Sequence, residues 1–198
     1  MSGPRMSADA RRSGILAAAT TCFAERGYAG TTTSWLARTA GVNEALIFRH
    51  FGAKQQLFLE CVDAAWSRML VRCDELYDLE PEARHWRMPG RSFLEIVRSE
   101  PSVARMWMRG LVETTGIEAI DEHLARRMRE VHDYVASVVE RSAGAGGLLP
   151  DRDPHGEAWT IIALGLLGAS LGTRGLVGQG EYDGVLASHR TWMTGSPE

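Results

Sequence analysis

Lysine is almost missing from this chain of 198 residues: of its 22 basic side chains only Lys54 is a lysine. Cysteine is scarce too, and Cys22, Cys61 and Cys73 form an odd set with no Cys-x-x-Cys pair. Each sits in an apolar helical setting, so buried free thiols are expected rather than a disulfide framework. Such thiols suit a reducing cytoplasm, where the protein is expected to reside. No segment has the charged-then-apolar form of a signal peptide. Long hydrophobic runs are lacking as well. The most apolar stretch, 161–171, is too short to span a bilayer and is followed by Arg174, so no membrane partner is expected. The six histidines, His50, His85, His123, His132, His155 and His189, have no metal-ligand spacing, and neither a nucleophile motif nor a phosphate loop is present. No catalysis, metal or cofactor is therefore expected.

What is present is the composition of a soluble globular protein, with 44% hydrophobic and 24% charged residues. Only 1–8 and 195–198 read as frayed tails. The net charge of −3 argues at first against nucleic acid, but its distribution does not. Residues 1–60 carry seven basic and four acidic side chains, a balance of +3, which leaves −6 for the remainder. A basic head on an acidic body fits a DNA-binding end.

Periodicity is helical almost throughout. Ile15, Ala18, Ala19, Cys22 and Phe23 fall at i, i+3, i+4, i+7 and i+8 on one face of a first helix, which Gly27 stops. The threonines 31–33 offer an N-cap for a short helix over 34–40; Gly41 breaks it, and Asn43 caps a second short helix over 44–50. A long helix is expected over 54–77. Pro81 and Pro89 flank an irregular piece, 92–98 is apolar-periodic, and Pro101 opens a helix through about 115. Further helices are expected over 117–143, from Pro154 to 176, and over 182–193, with a glycine-rich loop at 144–150. The fold class is all-α: about nine helices, arranged as a three-helix DNA-binding domain over 9–69, with its helix-turn-helix at 32–51, and a helical ligand-binding and dimerisation domain over 70–198.

Two short helices around a glycine turn are what a DNA-reading motif requires, one bracing on the phosphate backbone and the next entering the major groove. The run from Ile15 to Val62 also resembles the N-terminal domain of TetR-family repressors. The matches are Ala19 and Phe23 before Arg26-Gly27-Tyr28; the threonines; Leu36-Ala37; Ala40-Gly41-Val42; then Phe48, His50-Phe51, Lys54 and Leu57. They cover about a quarter of the chain, in register with the helices. The resemblance implies a homodimer that binds a palindromic double-stranded DNA operator, acts as a repressor, and lets go when a small effector enters the C-terminal domain.

Residue roles follow from chemistry and the resemblance together. Thr32 and Thr33 can offer hydroxyls and backbone N–H groups to a phosphate, while Thr33 as a plain N-cap is the alternative. Asn43, Glu44, Ala45 and Leu46 lie where family members reach base edges. Glu44 would accept from a cytosine amino group, or serve only as a favourable first-turn acid; Ala45 or Leu46 would pack on a thymine methyl. His50 and Lys54 match positions that touch phosphates, a solvated surface charge being the other reading of Lys54. Three departures stand out. Phe48 replaces the usual tyrosine and loses a phosphate-directed hydroxyl. Ala53 replaces the serine that commonly precedes the lysine, forfeiting a helix cap of about 1 kcal/mol. Trp35 stands where a polar residue is usual.

Beyond about residue 65 the resemblance fades. Trp66, Met69, Met106, Trp107, Met128, Tyr134 and Trp159 are candidates to line an apolar, adaptable effector pocket, with ordinary core packing as the alternative. Gly165, Gly168, Ala169 and Gly172 recur at i, i+3, i+4 and i+7 as a smooth helix face. With Leu186 on the last helix, that face is expected to pair with a second subunit, a buried role within one chain being the alternative. An architectural DNA-binding factor of the same fold with no effector remains open at this point.

Overall fold

The computed structural model describes residues 7–79, 97, 99–113, 115–144, 148–172 and 175–195. Eight α-helices and no strand occur among them: α1 (Ala8–Gly30), α2 (Thr33–Ala40), α3 (Glu44–Phe51), α4 (Lys54–Leu79), α5 (Pro101–Val112), α6 (Glu118–Gly144), α7 (Pro154–Gly172) and α8 (Gln179–Thr194). The irregular piece and short helix expected across 79–98 lie almost wholly outside the described residues.

The chain divides into two compact units, Met1–Arg68 with Glu100–Ala125, and Met69–Ser99 with Arg126–Glu198. This amends the expected division at residue 69/70, which grouped α5 with the C-terminal part. The reason lies in α1. Its buried stripe, Ile15, Ala19, Cys22 and Phe23, forms one side of a core completed by Leu36, Ile47, Phe58 and Val62, and α5 packs along the same helix with Met106 and Trp107 fully or nearly fully buried. Phe23 and Tyr28 both meet the Phe58 ring edge-on, at 5.1 and 5.2 Å between centroids. Gly110 of α5 leaves just enough room for Val62, whose methyls lie 3.2–3.3 Å from where a Cβ would stand.

Helix ends follow the local chemistry. Ser7 caps α1 by accepting the Ala10 N–H at 3.1 Å. Gly27 does not end α1 but kinks it, at φ 70 and ψ −178, and Thr31 then closes the turn with its hydroxyl on the Gly27 carbonyl at 2.7 Å. Thr32, not Thr33, is the N-cap of α2, accepting the Trp35 N–H at 3.2 Å. Gly41 terminates α2 in the left-handed region at φ 66, with the Val42 N–H on the Ala37 carbonyl at 2.9 Å.

In the second unit, α7 and α8 pack through a close approach. Tyr182 donates its hydroxyl to the Leu164 carbonyl at 2.7 Å, and its ring lies against Gly168, where a Cβ would stand only 2.3 Å from Cζ. A buried carboxylate, Glu157, holds the other end of the pair. Its Oε1 accepts the Trp192 indole N–H at 3.2 Å, and its Oε2 lies 3.0 Å from His189 Nε2. Both oxygens are thus partnered, as a buried charge requires.

Two glycines with the same sign of φ are predicted to respond differently to alanine. At Gly27 the new Cβ would meet Glu113 Oε1 at 2.6 Å on top of the backbone strain, so Gly27→Ala should cost about 2–4 kcal/mol and lower the Tm measurably. At Gly41 nothing lies within 4 Å, and Gly41→Ala should cost only about 1 kcal/mol. Equal melting shifts for the two variants would contradict this account.

Candidate nucleic-acid interface

The motif is built on how α1 ends. A helix terminus leaves carbonyls without partners, and the kink at Gly27 exposes several of them inside the first unit. Arg109 of α5 donates from Nε to the Ala24 carbonyl and from Nη2 to the Glu25 carbonyl, both at 3.0 Å. Glu113, one turn on, accepts the Tyr28 N–H at 2.8 Å. From the opposite side Lys54, the first residue of α4, donates to the carbonyls of Tyr28 at 2.9 Å and Thr31 at 3.0 Å, with its ammonium 4.1 Å from the Tyr28 ring centroid. Burial lowers the Lys54 pKa from its ordinary value, and the negative charge of Glu113 works against that shift. Lys54 is therefore not simply a solvated surface charge. Two of its three donors hold the α1–α2 connection on α4, a tie that links the scaffold to the motif.

Anchored this way, α2 and α3 cross with their apolar sides inward. Leu36 and Ala37 of α2 and Ile47 and Phe51 of α3 are buried. Asn43 caps α3 by accepting the Leu46 N–H at 2.9 Å. The Glu44 side chain turns back to the start of α2, where Oε2 accepts the Thr33 hydroxyl at 2.8 Å and Oε1 accepts the Ser34 hydroxyl. Those donors, Ser34 first and Thr33 second, hold its carboxyl below the usual carboxylate range. Neither expectation for Glu44 anticipated this latch between the two helices of the motif. The residue that is missed by sequence reasoning is Arg49. Ala45, Phe48, Arg49 and Gly52 are all exposed and fall at i, i+3, i+4 and i+7, a single face whose position is implied once Ile47 and Phe51 are known to be core. Phe48 is 44% exposed. Leu46 and His50 are half-buried, and His50 Nε2 is enclosed without a hydrogen-bond partner. Trp35 lies beneath the Arg26 guanidinium, 3.9 Å from its ring centroid, which accounts for a large ring at that position.

The candidates for an effector pocket belong to both units. Trp66 and Trp107 stack at 5.0 Å in the core of the first unit, beside buried Met106. Met69, also buried, together with half-buried Met128 and Tyr134, belongs to the second unit, where the Tyr134 hydroxyl donates to Asp74 at 3.4 Å. Trp159 is 45% exposed and lies flat on the His132 ring at 4.5 Å, so it is a surface residue and not an enclosed one. On the glycine face Gly165 and Gly168 are buried, and Gly168 is covered by Tyr182 of the same chain, which fits the alternative of a buried role within one chain at that position; Leu186 is half-buried, and the surroundings of Ala169 and Gly172 lie outside the described residues. Among the described residues no group of three or more His, Cys, Asp or Glu is arranged to hold a metal, and no helix is long and apolar enough to cross a membrane.

A short capped helix, a left-handed glycine turn and a second short helix with one solvent-facing side, all braced on a three-dimensional scaffold, define a helix-turn-helix DNA-binding protein. Residues 15–61 match the family described as bacterial regulatory proteins, tetR family. The HTH-type transcriptional repressor AcnR of Corynebacterium diphtheriae is 30% identical over 147 residues, which span 66% of this chain and 77% of that protein. AcnR of Corynebacterium efficiens is 33% identical over 148 residues, 65% of this chain and 78% of its own. A putative TetR-family transcriptional regulator from a Rhodococcus species superposes with a TM-score of 0.76 at 22% identity, over 93% of this chain and 98% of that one. AibR, solved in complex with isovaleryl coenzyme A and operator DNA, superposes with a TM-score of 0.65 at 19% identity, over 80% and 85% of the two chains. The chain belongs to the TetR family and is a DNA-binding transcriptional regulator.

Because its oxygens are held by α2, Glu44 is predicted to position the motif without choosing a base. The consensus selected from random duplexes by Glu44→Gln should therefore match that of the unaltered protein at every position. Loss of a cytosine preference at one position would show instead that the carboxylate reads DNA.

Proposed function

We propose that this protein is a homodimeric repressor that occupies a palindromic operator and is released by a small apolar or amphipathic effector. The observation that carries the DNA-binding half of this reading is the exposed face of α3, capped by Asn43 and carrying exposed Arg49, with Arg38 exposed on α2 of the same motif. In this reading α3 lies in the major groove, where its first turn meets base edges. The N-terminus of α2, with Thr32 and the backbone N–H groups near Thr33, faces a phosphate. Lys54 retains one donor beyond the two it gives to carbonyls, and His50 stands at the end of α3; both are assigned to the phosphate backbone. Phe48 contributes its ring without the hydroxyl that family members usually carry.

A palindrome needs two copies of α3 about 34–36 Å apart, and hence a dimer. With Gly168 already covered by Tyr182, the surface that best fits a second copy is another one. Helix α7 leaves Trp159, Ala163 and Leu167 exposed at i, i+4 and i+8, and α8 leaves Val185, Ser188 and Trp192 exposed at i, i+3 and i+7. Exposed large hydrophobic side chains on neighbouring elements, here Trp159, Leu167, Val185 and Trp192, are costly in water and are covered by self-association. Trp192 is 57% exposed in the single chain even though its indole N–H is already used by Glu157.

Effector release is supported by the architecture of α4. It begins at Lys54, which ties the motif, and continues unbroken to Leu79, so residues of one helix serve both units. An effector that binds one arrangement of α4 better than another would shift the population of DNA-competent dimers by no more than that difference in affinity. The AibR complex with isovaleryl coenzyme A and operator DNA is a precedent in this fold for a bound acyl thioester, and carboxylic acids and their thioesters are the first compounds to test here.

Selection from random DNA with the purified protein is expected to yield a palindromic consensus, and the absence of any duplex retention at low salt would overturn the reading. Leu167→Glu and Trp159→Glu place charge on the exposed α7 stripe. They should convert the dimer to a folded monomer by sedimentation velocity and abolish tight operator binding, whereas Gly168→Ala should act on stability through Tyr182. A dimer that survives both charged variants would place the interface elsewhere.

A further inference from the structure

We infer that base selection by this protein rests on the 5-methyl groups of thymine, packed by Ala45 and Phe48, and not on a set of side-chain hydrogen bonds to base edges. The inference rests on the assignment of α3 to the major groove. Its basis is what the exposed face of that helix holds once the folded structure has used the rest. Of the four residues at i, i+3, i+4 and i+7, Ala45 and Phe48 are apolar and Gly52 has no side chain. Arg49 is the single hydrogen-bonding side chain among them.

The polar residues at the start of α3 are already committed. The Asn43 side-chain oxygen accepts the Leu46 N–H at 2.9 Å as the helix cap. The bidentate pairing of asparagine with adenine uses acceptor and donor together, so that pairing competes with the cap. Both Glu44 oxygens accept hydroxyls of α2, from Thr33 at 2.8 Å and from Ser34, so reaching a cytosine amino group competes with the hold on α2. His50 is half-buried, with Nε2 enclosed. The major groove presents one apolar group that differs between base pairs, the thymine methyl, and the exposed methyl of Ala45 and ring of Phe48 are matched to it. An aromatic ring 44% exposed on a helix whose inner side is well packed gains from such a contact, because the methyl group and the ring edge leave water together. Exposed Arg49 next to it on α3 and exposed Arg38 on α2 of the same motif supply attraction to a polyanion, which favours DNA over an apolar protein surface as the occupant of this face.

The test uses the full-length protein and the operator found by selection. Each thymine of one half-site is replaced in turn by deoxyuridine, which removes the methyl and keeps the base pair, and affinity is read by fluorescence anisotropy at fixed salt. At one or two thymines per half-site Kd should rise about fourfold, the effect of one buried methyl-sized group. With Phe48→Ala the penalty at one of these positions should vanish, thymine and uracil duplexes being bound alike. Arg49→Gln should weaken both equally. The uracil scan on the unaltered protein stands whether or not a variant folds well. Selective duplex binding with no uracil penalty anywhere, or a consensus without thymine in its half-sites, overturns this inference and leaves operator binding intact. Failure to select any consensus removes operator binding and this inference with it.

Discussion

The fold of the first unit depends on satisfying the carbonyls left open where α1 kinks and ends. Gly27 adopts a positive φ and lets the chain turn sharply, and the turn delivers the carbonyls of Ala24, Glu25, Gly27, Tyr28 and Thr31 into a partly enclosed region. Left unpaired, each would cost about 1–3 kcal/mol. They are met by donors from three different elements: Arg109 on α5, Thr31 after α1, and Lys54 on α4. Glu113 completes the arrangement by accepting the one N–H that points the other way, from Tyr28. This is why α5 belongs with the DNA-binding helices although about seventy residues separate it from α1, and why the single lysine of the chain stands where it does.

The interface inherits its character from that frame. With α2 and α3 held at both ends, the motif can afford to spend its polar side chains on itself. Thr32 and Asn43 cap, and Thr33 and Ser34 latch onto Glu44. What is left facing solvent is a short apolar strip with arginine beside it. In a chain whose basic residues are otherwise all arginine, long-range attraction to a polyanion comes from planar, permanently charged groups, which can also pair bidentately with phosphate or guanine. The hydroxyl absent at Phe48 and the serine absent at Ala53 both remove polar reach from the same helix end, in keeping with a contact surface that relies on shape and apolar area.

The second unit is organised by packing of a different kind. The α7–α8 pair closes to the distance that Gly168 permits, with Tyr182 filling the space and spending its hydroxyl on Leu164. At the far end Glu157 collects His189 and Trp192, and Arg152 stacks on the same indole at 3.8 Å while donating to the Trp192 carbonyl at 3.1 Å. A helix pair fastened at both ends presents a defined outer surface, and the residues left on it, Trp159, Leu167, Val185 and Trp192, are the large hydrophobic ones that a lone chain would be expected to hide.

Much was legible from the sequence. The stripe Ile15, Ala19, Cys22 and Phe23, the glycine turn at Gly41 and the cap at Asn43 depend on spacing and local backbone preference, and the family resemblance is carried by residues that serve the same local needs. The all-α class and the helix-turn-helix therefore followed from near neighbours along the chain. Side chains whose partners lie far away were not legible. Lys54 read as a phosphate contact or a solvated charge, and Glu44 as a base contact or a first-turn acid, because their neighbours in sequence are silent about carbonyls 23–26 residues away or hydroxyls 10–11 residues away. The glycines of α7 advertised a smooth face without saying that Tyr182 would cover Gly168, and the tryptophans did not announce that Trp66 and Trp107 stack in a core while Trp159 is exposed on α7. Periodicity records that a side chain is apolar or a backbone can turn; which surface meets it is decided only when distant segments compete for the same contact in three dimensions.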